Sequence, residues 1–483
     1  MPEPRIVIGV DSSTQSTKAV AVEVETGRIV GEGRASHVVT GTGGARESDP
    51  RQWWAALGEA LAGTGLAERA EAVSIGGQQH GLVTLDADGE PVRPAMLWND
   101  TRSAAQASEL TDAKGARWWA ERTGSVPAAS FTATTWQWLR ENEPEAAART
   151  AAVRLPHDYL TSRLTGHPRG TTDRGDASGT GWWTPAGYDA EVLSLIGLDE
   201  ALLPEVVEPG KAAGEVSAAG AALGLRPGAL VAAGTGDNMA AAVGLGLEPG
   251  RPVLSLGTSG TVYAVTRGRP ADETGLIAGF ADALGDWLPL GCTLNCTLAV
   301  DRVATLLGLD RQAVEPGGSA VMLPFLDGER TPNLPYASGL LTGLRHDTTP
   351  GQLLQAAYDG AAYALLAALD DVLRSGGEDG PDAAAAPLLL IGGGARGEAW
   401  RNTVRRLSGR PVIIPEAQEL VALGAAAQAA SLLTGERADA IARRWGTAAG
   451  TELPAVEKDE EAVARLRETL DRALPLFTPG SEG

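Results

Sequence analysis

A chain of 483 residues is too long for one ordinary hydrophobic core, so two or more domains are expected. With 43% hydrophobic and 21% charged residues the composition is ordinary for a globular protein, and no apolar run approaches the ~18 residues that a membrane span needs. The net charge of −21 argues against nucleic acid or an acidic membrane as partner, although a few local donors suffice to bind phosphate on an acidic protein.

The opening segment MPEPRIVIGVDSS lacks the basic start, apolar middle and small-residue cleavage site of a signal peptide. A cytoplasmic location is expected. Residues 5–25 (RIVIGVDSSTQSTKAVAVEVE) predict a β-hairpin whose turn is rich in hydroxyls. Asp11 stands where the first strand meets the turn, followed by Ser13, Thr14 and Gln15, with Lys18 on the return strand. Such a turn offers N–H groups and hydroxyls to phosphate, and a carboxylate there can hold Mg²⁺ through water. The competing reading is that Asp11 only bonds its own turn.

Residues 49–64 open with Asp and Pro and carry apolar residues at helical spacing. Residues 73–82 predict a strand and a Gly-Gly turn leading to Gln78, Gln79 and His80, and residues 97–102 (LWNDTR) add Trp98, Asn99, Asp100 and Arg102. Amides, carboxylate, imidazole and guanidinium suit a polyol, whose hydroxyls both donate and accept. Nine of the twelve Trp fall between Trp53 and Trp183; pairs such as Trp53-Trp54 and Trp118-Trp119 read as core, and only Trp98 is kept as a site candidate. Asp176, on a predicted loop within residues 171–180, is a further acidic candidate.

Residues 230–246 read as an apolar strand, a Gly-Thr-Gly turn and an Ala-rich helix. Asp237, followed by Asn238, falls at or just before the helix N-terminus, where the dipole favours the ionised carboxylate. On spacing alone a cap and a catalytic base remain equally open, since phosphoryl transfer needs a group to accept a hydroxyl proton. The Pro- and Gly-marked stretch 245–252 divides the chain into expected domains 1–246 and 247–483.

Residues 252–267 repeat the hairpin with no carboxylate in its turn; Gly257 and Gly260 allow close approach and positive φ, and Thr258 adds a hydroxyl. This suits a γ- or β-phosphate opposite Asp11. Cys292 and Cys296 lack further ligands for zinc and read as reduced, buried residues. A long buried Ala/Leu helix is predicted over 350–374, a loop over 375–387, then a strand ending in Gly392-Gly393-Gly394, against which a purine or ribose can lie. No Gly-x-x-x-x-Gly-Lys-Ser/Thr occurs, which excludes a P-loop kinase. Residues 457–474 predict a charged terminal helix reaching back over the first domain. Two hairpins and two strand–glycine units in the same order predict duplicated α/β halves facing each other across a cleft.

In this order the motifs resemble the FGGY carbohydrate kinases, nearly end to end, which share the actin/Hsp70/hexokinase-type, ribonuclease H-like fold. The resemblance implies ATP-dependent phosphorylation of a small-molecule sugar with Mg²⁺ as metal. It gives Asp237 the role of base and puts Asp11 beside metal and phosphate. Ser13, Thr14, Gln15, Lys18, Gly257 and Thr258 then meet the phosphates, and Gly393 and Gly394 the adenosine. Gln79 and His80 would contact a ketose, with Trp98, Asn99, Asp100, Arg102, Asp176 and Asn238 on the sugar side. Segments 75–81, 97–102, 155–160 (LPHDYL) and 255–260 are similar to the xylulose-directed branch, while glycerol-directed members carry Arg-Glu in place of Gln79-His80. Ribulose, a deoxyketose and gluconate stay open as substrates. Two departures stand out: Ser13 occupies a position that is commonly Gly in Asp-x-Gly-Thr, and Gln79 one that is Met in some members. A homodimer is expected. An actin-like ATPase is disfavoured by the short stretch after Gly394, and a silent sugar sensor by the intact Asp11, Asp237 and phosphate turns.

Overall fold

The computed structural model describes residues 3–477; residues 1, 2 and 478–483 of the expected domains lie outside the described residues. The first sheet starts with β1 (Ile6–Ser12), β2 (Ser16–Glu23) and β3 (Ile29–Ser36), paired antiparallel in succession. β4 (Ala70–Gly77) lies parallel to β1 on its other side. The sheet continues through β6 (Leu230–Ala232), parallel to β4, to β5 (Ala212–Glu215), antiparallel to β6. The second sheet holds β7 (Pro252–Leu256), β8 (Gly260–Ala264), β9 (Ile277–Ala281), β10 (Trp287–Thr293), β11 (Leu388–Ile391), β12 (Val412–Pro415) and β13 (Gly450–Leu453). Its order is β9-β10-β8-β7-β11-β12-β13. Without β9, the directions along it repeat those of the first sheet: two antiparallel pairs, two parallel pairs and a last antiparallel pair. This is the duplication that the repeated motifs predict.

The helices that frame the site are, in chain order, α1 (Pro50–Thr64), α2 (Pro156–Thr165), α3 (Arg174–Ser178), α4 (Asp237–Gly244), α5 (Thr297–Leu307), α6 (Pro350–Ser375), α7 (Glu398–Ser408), α8 (Leu420–Thr434) and α9 (Glu460–Ala473). α1 begins as its sequence predicts: the Asp49 side chain accepts from Arg51 N at 2.9 Å and Pro50 opens the helix. Every residue of β1 is buried, as a central strand covered on both faces must be.

The halves are joined through α8, which packs on the first sheet although in sequence it lies between β12 and β13 of the second. Glycine makes this possible. A Cβ at Gly9 would sit 1.8 Å from the Ala422 carbonyl oxygen, and one at Gly424 would sit 1.8 Å from that of Ala240 in α4. Backbones in such contact tolerate no side chain. Val7, Val20 and Met239 of the first half share one core with Val253, Tyr263 and Ala426 of the second.

Three local expectations change. α9 packs Ala462, Leu466 and Ala473 into the core of the second half, beside Phe325, and not over the first domain; its apolar edge finds its match in that core. The predicted loop 375–387 contains a short helix, Pro381–Ala385. Gly76 and Gly77 end β4 instead of forming a turn, because Gly77 still pairs with Ser12. Trp53 and Trp119 are fully buried, in agreement with their structural reading.

Candidate active site

The candidate residues converge on the C-terminal ends of neighbouring parallel strands, β1/β4 in one half and β7/β11 in the other, where open α/β sheets bind ligands. At the end of β1, Asp11 is nearly buried. Ser13 Oγ donates to its Oδ1 at 2.6 Å, and Lys18 Nζ lies 3.9 Å from its Oδ2. Burial pushes the Asp11 carboxyl above its usual range, with Ser13 and Lys18 working against the shift. Lys18 is held by Glu419 at 2.8 Å, at the start of α8. Ser13 keeps a negative φ, since His80 and Asp327 are the non-glycine residues with positive φ among those described; the turn works without the family's glycine. Thr14 Oγ1 accepts from Trp98 Nε1 at 3.1 Å. Gln15 is exposed, and its carbonyl accepts from His37 N.

Asp237 is the first residue of α4, with Gly236 in the cap position. Its Oδ1 accepts from Asn238 N at 2.8 Å and Asn238 Nδ2 at 3.0 Å. Asn238 Nδ2 also donates to Gln79 Oε1 at 2.9 Å, tying the carboxylate to the end of β4. A Cβ at Gly236 would lie 2.6 Å from Gln79 Cγ and 3.2 Å from Asp176 Oδ1, so only glycine lets these groups gather. Burial first, then the charges of Asp11 and Asp176, push the Asp237 carboxyl up to about 7. Desolvation and neighbouring negative charge thus oppose the helix N-terminus, which favours the ionised form.

A cavity of about 290 Å³ opens beside Asp237. Thr14, Gln79, His80, Trp98, Phe131 and Asn238 line it from the first half, and Ser259, Thr261, Phe280, Cys292 and Arg330 from the second. His80 Nδ1 donates to the Gly179 carbonyl at 2.7 Å, which leaves Nε2 as an acceptor. Its ring stacks on Phe131 at 5.1 Å and meets Phe280 at 5.5 Å. Burial drives its pKa down to about 4, partly offset by the Gly179 carbonyl, so the ring is neutral at physiological pH. His80 holds φ at 66°, a strained conformation for a non-glycine residue.

Asn99, Asp100, Arg102 and Asp176 do not line this cavity. Arg102 pairs with Asp100 at 2.7 Å and with Glu47, and Asp100 also accepts from Arg46 N at 2.8 Å. These charges satisfy one another. Asp176 lies on α3, not on a loop, and is fully buried. His157 Nδ1 donates to its Oδ2 at 2.6 Å. Burial alone would lower the His157 pKa, but Asp158, Asp176 and Asp173 raise it to about 9. Burial lifts Asp176 to about 7 against the pull of His157. Asp176 thus acts on the floor beneath Gln79 and Gly236, and its expected contact with the sugar is corrected on this geometry. The short segment LPHDYL carries His157 into that floor. Phe131, Phe280, Glu419 and Arg330 were missed by sequence reasoning. Phe131 lies in a Ser/Thr/Ala stretch and Phe280 in an ordinary apolar strand, neither of which signals a site, and Glu419 is 401 residues from its partner Lys18.

In the second half, the Gly257 carbonyl accepts from Thr297 N at 3.1 Å and Thr297 Oγ1 at 2.8 Å, so the start of α5 anchors the turn while Thr258 and Ser259 stay exposed. Neither Gly257 nor Gly260 takes a positive φ, contrary to expectation. Gly260 is needed for space, as its Cβ would lie 2.5 Å from Leu365 Cδ2. Gly392 does adopt φ 83°; Gly393 faces open space, and Gly394 packs where a Cβ would be 2.8 Å from Leu256 Cβ. Beyond them lies a cavity of about 750 Å³ lined by Gln312, Arg396, Gly397, Glu398 and Asn402. Cys292 and Cys296 are free thiols.

Residues 6–244 match the FGGY family of carbohydrate kinases, N-terminal domain, and residues 253–433 its C-terminal domain. The xylulose kinase of Streptomyces coelicolor is 68% identical over 479 residues, which cover 98% of each chain. That of Streptomyces rubiginosus is 68% identical over 483 residues, covering 99% of this chain and 98% of the relative. The crystal structure of the xylulose kinase from Bifidobacterium adolescentis superposes with a TM-score of 0.84 at 34% identity, covering 97% of this chain and 99% of that one.

Proposed function

We propose that this chain, which belongs to the FGGY family of carbohydrate kinases, transfers the γ-phosphoryl group of ATP to the terminal hydroxyl of D-xylulose, giving D-xylulose 5-phosphate and ADP. The observation that carries this reading is one cavity in which Asp237 meets the Gln79–Asn238 amides and a neutral His80, within a chain 68% identical to xylulose kinases.

The sugar lies between Trp98, His80 and Asn238, whose amides and imidazole acceptor match hydroxyls that donate and accept. Asp237 takes the proton of the terminal hydroxyl. Its raised pKa makes it a stronger base than an ordinary carboxylate while leaving it ionised above about 7. Asn238 N and Nδ2 fix the carboxylate so that one oxygen remains for that proton. Thr14, Lys18, Gly257 and Thr258 serve the phosphates, and Gly393 and Gly394 the adenosine. Phe131 and Phe280, brought together from the two halves around His80, exclude water that would otherwise take the phosphoryl group. Mg²⁺ fits the Asp11 corner, where a nearly buried carboxylate keeps Oδ2 free of hydrogen bonds and Glu419 stands by, both hard oxygen donors. The metal would neutralise phosphate charge there. Domains of 1–246 and 247–483, a homodimer and a cytoplasmic location belong to the same proposal.

An ADP-release assay over pentuloses, hexuloses, gluconate and glycerol tests it. Fastest release with D-xylulose is expected. Faster release with another of these acceptors, or ADP release indifferent to every sugar, would contradict it.

A further inference from the structure

Arg330 is an exposed side chain on the wall of the Asp237 cavity, contributed by the second half. Its guanidinium makes no hydrogen bond or ion pair with any described residue, although acidic side chains outnumber basic ones, 61 to 40. Its backbone, by contrast, is tightly held. The buried Glu329 carboxylate accepts from Leu294 N at 2.6 Å, from Arg330 N at 2.7 Å and from Asn295 Nδ2 at 3.0 Å. Thr297, two residues beyond Asn295, is the residue that grips the Gly257 carbonyl. Arg330 is therefore indexed, through one short rigid segment, to the turn that ends β7. Ser259 of that turn lines the same cavity. The guanidinium charge is felt at His80 and at Cys292 on the cavity wall.

A rigid backbone carrying an unpaired planar cation on the wall of the cavity that Asp237 also lines is a binding element suited to an anion, and a guanidinium fork matches phosphoryl oxygens. The sugar is neutral. The anion that forms in this cavity is the phosphoryl group as it passes from nucleotide to sugar. We propose that Arg330 is a catalytic residue that binds the phosphoryl group during transfer and the phosphate of the product. This rests on the kinase reading above. In the step, the terminal sugar oxygen forms a bond to the γ-phosphorus, the bond from that phosphorus to the ADP oxygen breaks with its electron pair leaving on ADP, and the hydroxyl proton passes to Asp237. Arg330 holds the charge of the transferring oxygens, as guanidinium groups do in other phosphoryl transfers.

The test compares the parent with Arg330→Ala and Arg330→Lys, using D-xylulose turnover, calorimetric binding of D-xylulose, and inhibition by D-xylulose 5-phosphate. Arg330→Ala should lose on the order of 10² in kcat, keep D-xylulose affinity within about twofold, and bind D-xylulose 5-phosphate about tenfold or more weaker. Arg330→Lys, with the charge but not the fork, should fall between the two. Parent-like kcat and product inhibition in Arg330→Ala would overturn the proposal. So would a loss confined to D-xylulose binding, which would make Arg330 a contact to sugar hydroxyls. Sugar-independent ADP release by the parent would instead strike the kinase reading itself.

Discussion

The two sheets repeat the same strand directions over six positions, and the same chain order over four of them, yet their matching corners carry opposite chemistry. In the first half the end of β1 bears Asp11, and the neighbouring strand β4 leads into Gln79 and His80. In the second half the turn after β7 has no carboxylate, and the neighbouring strand β11 leads into three glycines. One frame thus supplies acids and side-chain amides from one side, and backbone, hydroxyls and Arg330 from the other. On the proposed reading, Asp237 of the first half accepts the proton, while the glycine turns and Arg330 of the second half meet the nucleotide and the phosphoryl group. Duplication provided the geometry, and divergence of a few turn residues divided the labour.

This division can be broken residue by residue. Asp11→Asn should remove the carboxylate of the first turn without disturbing the fold, lowering turnover by roughly 10–10² with the loss concentrated in nucleotide and metal dependence; steady-state kinetics across Mg²⁺ concentrations reads this. The pH profile sharpens the same point. Asp237 accepts a proton only when ionised, so kcat/KM should fall as pH drops through about 7. Because the Asp11 charge is the second cause of that raised value, Asp11→Asn should move the acid limb to lower pH. The raised pKa has a stability counterpart. The unfolded carboxyl titrates near 3.8, so the native state binds this proton more tightly and loses stability as pH rises from about 4 to about 7. Asp237→Asn should accordingly melt higher than the parent at pH 8, by an amount on the order of 1 kcal/mol.

Within the second half, Gly394→Ala should cost about 1–3 kcal/mol in denaturant unfolding, because a Cβ there meets Leu256 and Thr297 at 2.8 Å. Gly393→Ala, facing open space, should leave stability unchanged and raise the KM for ATP. The smallest effect is expected at the link between halves: Glu419→Gln breaks a partly exposed ion pair with Lys18 and should change stability by less than about 1 kcal/mol.

Local signals made much of this legible. Alternating and apolar runs gave both hairpins, the Asp49-Pro50 start gave α1, and the repeated order of motifs gave the duplicated sheets. Asp237 is readable as a helix-start acid, but its environment is not: the burial that first raises its pKa, and the charges of Asp11 and Asp176 that add to it, come from residues far away in the chain. For the same reason Asp100 and Arg102 looked like sugar ligands in sequence and proved to be partners of each other. Glu419 and Phe280 could not be found locally, since their role exists only when α8 lies on the first sheet and β9 faces His80. Gly260 was read as a flexible turn residue, whereas it is small because Leu365 packs against it.

The measurement that bears most directly on the account is Asp237→Ala, with D-xylulose turnover and calorimetric D-xylulose binding taken on the same preparation. Turnover reduced by a factor on the order of 10² or more, with sugar affinity changed far less, is the expected result. Near-normal turnover in that variant would contradict the central claim that Asp237 takes the proton of the attacking hydroxyl.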